Sequence, residues 1–287
     1  MLERFTLSEK ERAHKDLKFK QLEERYKDYS DPWGFNLNTV KQAMDVVYPL
    51  YKRYFRVRVF GLEHVAEEPY MVVSNHTGQV PIDGMLIATA FATELDKPRV
   101  VHSMIERFMA GLPFLGDISA RAGSILGDRE NCKWLLNKGE SILVFPEGVR
   151  GINKSTQDFY KLQRFSHGFY RIALQSQTKI LPISVIGAEE MFPFVFQAGG
   201  IGKKFGLPSL PITANLVPLP SPIDIYIGEP IEVSKDLSPE APDKEIRPHV
   251  YNIEKIIKRN IHNGLQSRRK FFEWVRNPIN ILMNKTF

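Results

Sequence analysis

The chain has 287 residues, enough for one large α/β domain or one domain with helical extensions. With 43% hydrophobic and 25% charged residues it has the composition of a folded globular protein, and its one cysteine, Cys132, excludes an intramolecular disulfide framework and fits a reducing compartment. The formal net charge of +6 suits an anionic partner, whether membrane surface, phosphate-bearing substrate or nucleic acid, without choosing among them.

Residues 1–30 are charged throughout and lack the apolar core of a signal peptide. No run of about 18 or more apolar residues follows, so the sequence predicts a soluble or peripheral protein without a transmembrane helix. Residues 1–55 read as two helices separated by "SDPWGFN". In the second, Leu37, Val40, Met44, Val47, Tyr48, Tyr51 and Phe55 recur at helical spacing, and Pro49 predicts a kink or an early end. Such a hairpin either packs on the core or lies on a bilayer with its cations near anionic headgroups.

Residues 56–233 alternate short apolar strands with helical segments. Strand candidates are "RVRVFG", "YMVVSN", "RVVHSM", "GSILG", "SILVFP", "ILPISVIG" and "PIDIYIGEP". Several are continuous apolar runs, as expected for strands covered on both faces, whereas "IDIYI" alternates and belongs near an edge. The pattern predicts an α/β fold with a mixed, largely parallel sheet flanked by helices. "RENCKWLLNKG", around Cys132, reads as a helix with no nucleophile context. The Gly- and Pro-dense "GGIGKKFGLPSLPITANLVPLPSP" reads as a long surface excursion with few strand signals. Residues 234–287 hold a basic C-terminal helix from about position 243, whose apolar stripe is Ile246, Val250, Ile253, Ile257, Ile261 and Leu265. It runs into "SRRKFFEWVRNP", where aromatics beside cations suit a membrane interface or a packed helix.

Polar residues gather where the apolar runs stop. His76, with Asp83 a few positions on, follows "YMVVS"; Asp128 and Arg129 follow "GSILG"; Glu147, Gly148 and Arg150 follow "SILVFP". In open α/β sheets ligands bind at the carboxyl ends of strands, so these clusters are expected to share one crevice. The other histidines, His14, His64, His102, His167, His249 and His262, form no zinc pattern, and no phosphate-binding glycine loop or nucleophile elbow is present.

These blocks resemble the glycerophospholipid acyltransferase family, of the lysophosphatidic acid acyltransferase type. Asn75-His76 with Asp83 is similar to its first block, "GSILGDR" (Gly123 to Arg129) to its second, "FPEGVR" (Phe145 to Arg150) to its third, and the strand around Pro182 to its fourth. The resemblance covers about residues 56–230. One departure marks an offshoot: six residues, "TGQVPI", separate His76 from Asp83, where the usual spacing is four. Gly78 is expected to let the longer connection bulge and Pro81 to open the following helix.

The resemblance implies transfer of a fatty acyl group from a thioester to a hydroxyl of a glycerolipid such as lysophosphatidic acid. His76 would act as general base and Asp83 would orient it. Arg129 and Arg150 would clamp an acceptor phosphate, assisted by Lys154, while Glu147 would help bind acceptor hydroxyls and Gly148 would allow close backbone approach. No metal and no tightly bound cofactor are expected; acyl-CoA or acyl carrier protein is the cosubstrate. The expected partners are the lipid acceptor and a membrane surface, contacted peripherally from the cytoplasmic face. Scattered basic residues and the lack of a recognition motif argue against nucleic acid. Two alternatives remain at this stage: another acceptor, such as diacylglycerol or a different lysolipid, and a lipid-binding protein without catalysis.

Overall fold

The computed structural model describes residues 6–77, 82–106, 111, 115–192, 195–198, 210–213, 215 and 217–268. Each predicted strand segment forms one: β1 (Arg58–Phe60), β2 (Met71–Ser74), β3 (Val101–Ile105), β4 (Ile125–Leu126), β5 (Ser141–Val144), β6 (Ile180–Ile186) and β9 (Asp224–Ile227). They make one seven-stranded sheet in the order β1-β9-β6-β2-β5-β3-β4. The strands from β6 to β4 in that order run parallel, with Val73 of β2 level with Pro182 and Val144. β9 pairs antiparallel with β6 and parallel with β1, so the sheet is mixed and the alternating strand lies one place in from the edge.

The continuous apolar runs are explained by two cores. Alternate side chains of a strand point to opposite faces. Val72, Leu143, Leu181 and Ile183 therefore join one buried cluster, while Met71, Val73, Ile142 and Val144 join the other. The first face is covered by α3 (Ile82–Thr93) and by α2 (Leu37–Pro49) with its π-helical continuation Leu50–Tyr54, which supply Tyr48, Tyr51 and Phe55. The second is covered by α5 (Arg129–Asn137), α7 (Gly168–Ser176) and α8 (Asp243–Ser267). The predicted stripe of α8, Ile246 through Ile261, is buried there. Pro49 ends the α-helical hydrogen-bonding pattern but not the winding, which passes directly into the π turn.

α1 (Glu9–Tyr26) and α2 bury Phe19, Leu22, Tyr26, Val40 and Met44 against Ala92 and Val100 beside α3, so the inner face of the N-terminal hairpin packs on the core. The Gly/Pro-rich region holds a strand that its sequence does not announce: β8 (Leu210–Thr213), which pairs antiparallel with β7 (Val195–Ala198) just before that region. Gly78 and Pro81, the centre of that excursion and the tail beyond Arg268 lie outside the described residues. Among the described residues no helix is long and apolar enough to cross a membrane.

Candidate active site

β2, β5 and β6 are neighbours in the sheet, and their carboxyl ends emerge side by side. Beyond β2, Asn75 extends the pairing with its side chain: its amide N–H donates to Val185 O at 3.0 Å and its Oδ1 accepts Val185 N–H at 2.9 Å. This amide substitutes for a rung of the ladder and fixes where the chain leaves the sheet. The next residue is His76.

His76 meets Asp83 in spite of the lengthened connection. Nδ1 lies 2.7 Å from Asp83 Oδ2, which also accepts the Thr77 N–H at 2.8 Å and the Thr77 hydroxyl at 3.3 Å. Asp83 Oδ1 accepts the Gly84 N–H at 2.8 Å. Both oxygens of Asp83 face backbone or hydroxyl donors, so the bond to His76 is satisfied with Nδ1–H donating to the carboxylate. Asp83 lies in the first turn of α3, where the helix dipole favours a negative charge. Its side chain is fully buried, whereas that of His76 remains 15% exposed. Phe145, at the end of β5, stacks on the imidazole with ring centroids 4.2 Å apart and planes 20° apart. Nε2 is therefore left as the acceptor nitrogen of a ring held on one edge and one face, and it bonds to no described residue.

A second polar group lies directly beneath this one. Glu147 Oε1 accepts the His76 backbone N–H at 2.8 Å, and its Oε2 accepts the Gln163 N–H at 2.7 Å. Lys154 Nζ lies 3.2 Å from Glu147 Oε2, 3.1 Å from Glu189 Oε1 and 3.2 Å from the His76 carbonyl oxygen. All three side chains are buried. Burial works against the Lys154 ammonium, but the charges of Glu189 and Glu147 hold its pKa above the ordinary lysine range. Burial pushes Glu189 up to about 7, against the pull of Lys154 and of the Tyr160 N–H that it accepts.

The predicted residues thus divide. His76 and Asp83 are bonded to each other, and Glu147 and Lys154 are bonded to the His76 backbone. Lys154 commits its three donors to protein acceptors rather than presenting them at the surface, and both oxygens of Glu147 are occupied by protein donors. Arg150 spends Nε on Glu147 O at 3.4 Å and an Nη2 donor on Arg164 O at 2.9 Å, so it is Glu147's backbone, not its carboxylate, that meets this arginine. Arg129 is half-exposed, with Nη1 3.8 Å from Glu240 Oε1 on the segment leading to α8. Gly148 caps α6 (Val149–Ile152) at φ 56° and ψ −147°, a conformation that favours glycine, and the nearest atom to a Cβ built there is 4.0 Å away. The positive φ gives one reason for glycine at this position, and no protein side chain crowds it.

Three contributors escaped the sequence reading. Thr77 completes the Asp83 bonding shell. Gly151 lies so near the site that a Cβ there would stand 2.7 Å from His76 Cβ and 2.9 Å from Glu147 Cβ. Glu189 follows β6 in "GAEEMFP", and its only sequence signal is the placement of an acidic residue just past a strand end. Cys132 takes no part: burial, then Asp128, pushes its thiol up to about 12, consistent with a structural cysteine.

Comparison with known proteins bears on the family and the fold. Residues 56–186 match the Acyltransferase family. The chain is 33% identical over 261 residues to the uncharacterized protein Mb0514 of Mycobacterium bovis, covering 85% of this chain and 72% of that one. It is 28% identical over 142 residues to 1-acyl-sn-glycerol-3-phosphate acyltransferase alpha of Ovis aries, covering 48% of this chain and 47% of that protein. Its fold is similar to the crystal structure of the 1-acyl-sn-glycerophosphate acyltransferase PlsC from Thermotoga maritima, with a TM-score of 0.55 and 18% identity over 80% of this chain and 81% of that one. The four sequence blocks and the sequence matches together place the chain in the glycerophospholipid acyltransferase family.

Proposed function

We propose that the protein transfers a fatty acyl group from an acyl thioester, of coenzyme A or an acyl carrier protein, to a free hydroxyl of a glycerolipid of the lysophosphatidic acid class. The observation that carries this reading is the 2.7 Å bond from His76 Nδ1 to the buried Asp83 carboxylate, which leaves Nε2 as a base at the carboxyl ends of the central strands. Nε2 takes the proton of the acceptor hydroxyl as its oxygen attacks the thioester carbonyl. The tetrahedral intermediate then collapses, the C–S bond breaks, and the leaving sulfur takes the proton back from the imidazolium. Asp83 stabilises that imidazolium and fixes the tautomer. The attacking alcohol belongs to the substrate, so no nucleophile of the enzyme is consumed.

Within this reading the protein works as a peripheral enzyme at the cytoplasmic face of a membrane, supported by its positive charge and by the absence of a spanning helix among the described residues. A second acceptor class is favoured by one observation. Lys154 is buried between carboxylates and Arg150 is tied to backbone carbonyls, so cations expected to grip a phosphate are already engaged. Diacylglycerol or another uncharged acceptor therefore belongs in the test. Purified protein is offered labelled acyl-CoA with a panel of lysolipids and diacylglycerol, the product is identified by mass, and a carrier-protein thioester is used if CoA donors fail. A His76→Ala enzyme is expected to lose roughly 10² to 10⁴ in rate; a variant as fast as the parent rejects His76 as the base. If the acceptor lacks phosphate, Arg150→Gln will be tolerated far better than His76→Ala.

A further inference from the structure

Lys154, Glu147 and Glu189 form a buried ion triad with one cation for two carboxylates. Burying charges is expensive, and a well-packed apolar core would stabilise the fold at least as well. What the triad does that apolar side chains do not is grip both backbone polar groups of one residue. Glu147 takes the N–H of His76 and Lys154 gives a hydrogen bond to its C=O, at 2.8 and 3.2 Å. Each outer carboxylate is in turn held by a backbone N–H from one stretch of chain, Gln163 on Glu147 and Tyr160 on Glu189. The arrangement is braced again further out. Tyr160 OH accepts from the Gly187 N–H at 3.1 Å and lies 3.1 Å from Glu190 Oε1, and the buried Arg268 at the end of α8 is paired with Glu190.

Resting on the acyl-transfer reading, we propose that Lys154 and Glu189 are positioning residues for His76, holding its backbone so that the ring stays aligned between Asp83 and the acceptor hydroxyl. Lys154 is the bridge and Glu189 sets it: without the Glu189 carboxylate, Lys154 would be drawn toward Glu147 alone and its bond to the His76 carbonyl would weaken. Neither side chain touches substrate. Their effect therefore runs through the imidazole and falls on the chemical step, where a misplacement of about 1 Å costs on the order of 10²-fold.

The test is a double-mutant cycle on the full-length protein with the acceptor and thioester found active. Glu189→Gln is nearly isosteric but must turn its NH2 toward Lys154 or the Tyr160 N–H. It is expected to lower kcat about 10- to 100-fold while the KM for each substrate changes by less than about threefold. In a His76→Ala background the same substitution should have no further effect, because the group being positioned is gone. Glu189→Asp keeps the charge and retracts it by one methylene; it should show the same pattern more weakly and serves if Glu189→Gln does not fold. A folded Glu189→Gln or Glu189→Asp enzyme with parental kcat overturns the proposal, as does a loss in KM alone or an undiminished loss in the His76→Ala background. If His76→Ala itself retains the parental rate, it is the catalytic reading that fails, and the cycle identifies that case separately.

Discussion

Gly151 is the position where the site leaves no space for a side chain. A Cβ there would fall 2.7 Å from His76 Cβ and 2.9 Å from Glu147 Cβ. Those are root atoms fixed by the backbone, not the movable ends of long side chains, so relief requires α6 or the His76 segment to shift. Gly151→Ala is therefore expected to yield a folded protein whose kcat is lower by about 10²-fold, since a displacement under an ångström at the base is enough. Melting temperature measured beside steady-state kinetics separates the two effects, and parental kcat in a folded G151A enzyme would show that the contact is not tight in operation. The neighbouring glycine makes the contrast. Gly148 has open space where a Cβ would go and is constrained by its φ of 56° instead. Both sit in "FPEGVRG", yet the sequence pointed only to Gly148, as a place for close backbone approach; the packing that excludes a Cβ at Gly151 exists only once α6 lies against His76 and Glu147.

At the scale of elements, α8 decides what the C-terminal amphipathic pattern means. Its stripe fits a helix on a bilayer or a helix on a core, and the structure places Ile246, Val250, Ile253 and Ile257 beneath the sheet at essentially zero exposure. Ile257→Ala is expected to cost roughly 2–5 kcal/mol of stability, as for other large-to-small core changes. Lys258→Ala, on the exposed side one residue on, should stay within about 0.5 kcal/mol. Equal and small effects of both in denaturant titrations would remove α8 from the core. The same comparison explains what was legible in the sequence. Strands such as "SILVFP" and "ILPISVIG" announce themselves because burial on both faces leaves little room for polar residues beyond a single small serine in each. His76, Asp83 and Glu147 announce themselves because they lie at strand ends inside ordered blocks. Glu189 does not, and Lys154 enters only as an aid to phosphate binding, because what matters about the pair is an encounter across 35 positions that exists only once β5 and β6 lie either side of β2. The β7-β8 pairing was missed for a related reason: the Pro and Gly around it mask short strands whose partner is each other rather than the main sheet.

For the molecule as a whole, the buried Glu189 and the surface charge make predictions in different solvents. Burial raises Glu189 from 4.5 to about 7, so between these values the folded state holds a proton that the unfolded state has released. Stability from this group is thus present at low pH and declines as pH rises through that window. The parent's stability relative to Glu189→Gln should fall between about pH 5 and pH 8, and parallel stability curves for the two proteins would contradict the assignment. The surface bears on where the reaction takes place. The acceptor proposed above would reside in a bilayer, and the outer parts of α1, α2 and the π turn expose Leu17, Val46 and Leu50 among their lysines and arginines, a surface suited to meet one. Cations of this kind gain about 1 kcal/mol each near an anionic leaflet, and the attraction decays over a Debye length of about 10 Å at 0.1 M salt. Vesicles containing phosphatidylserine are accordingly expected to sediment the protein at low ionic strength, to release much of it as salt is raised, and to bind more than vesicles of phosphatidylcholine alone. Equal, salt-insensitive binding to both would assign attachment to apolar insertion and leave the net charge of +6 without a part in it.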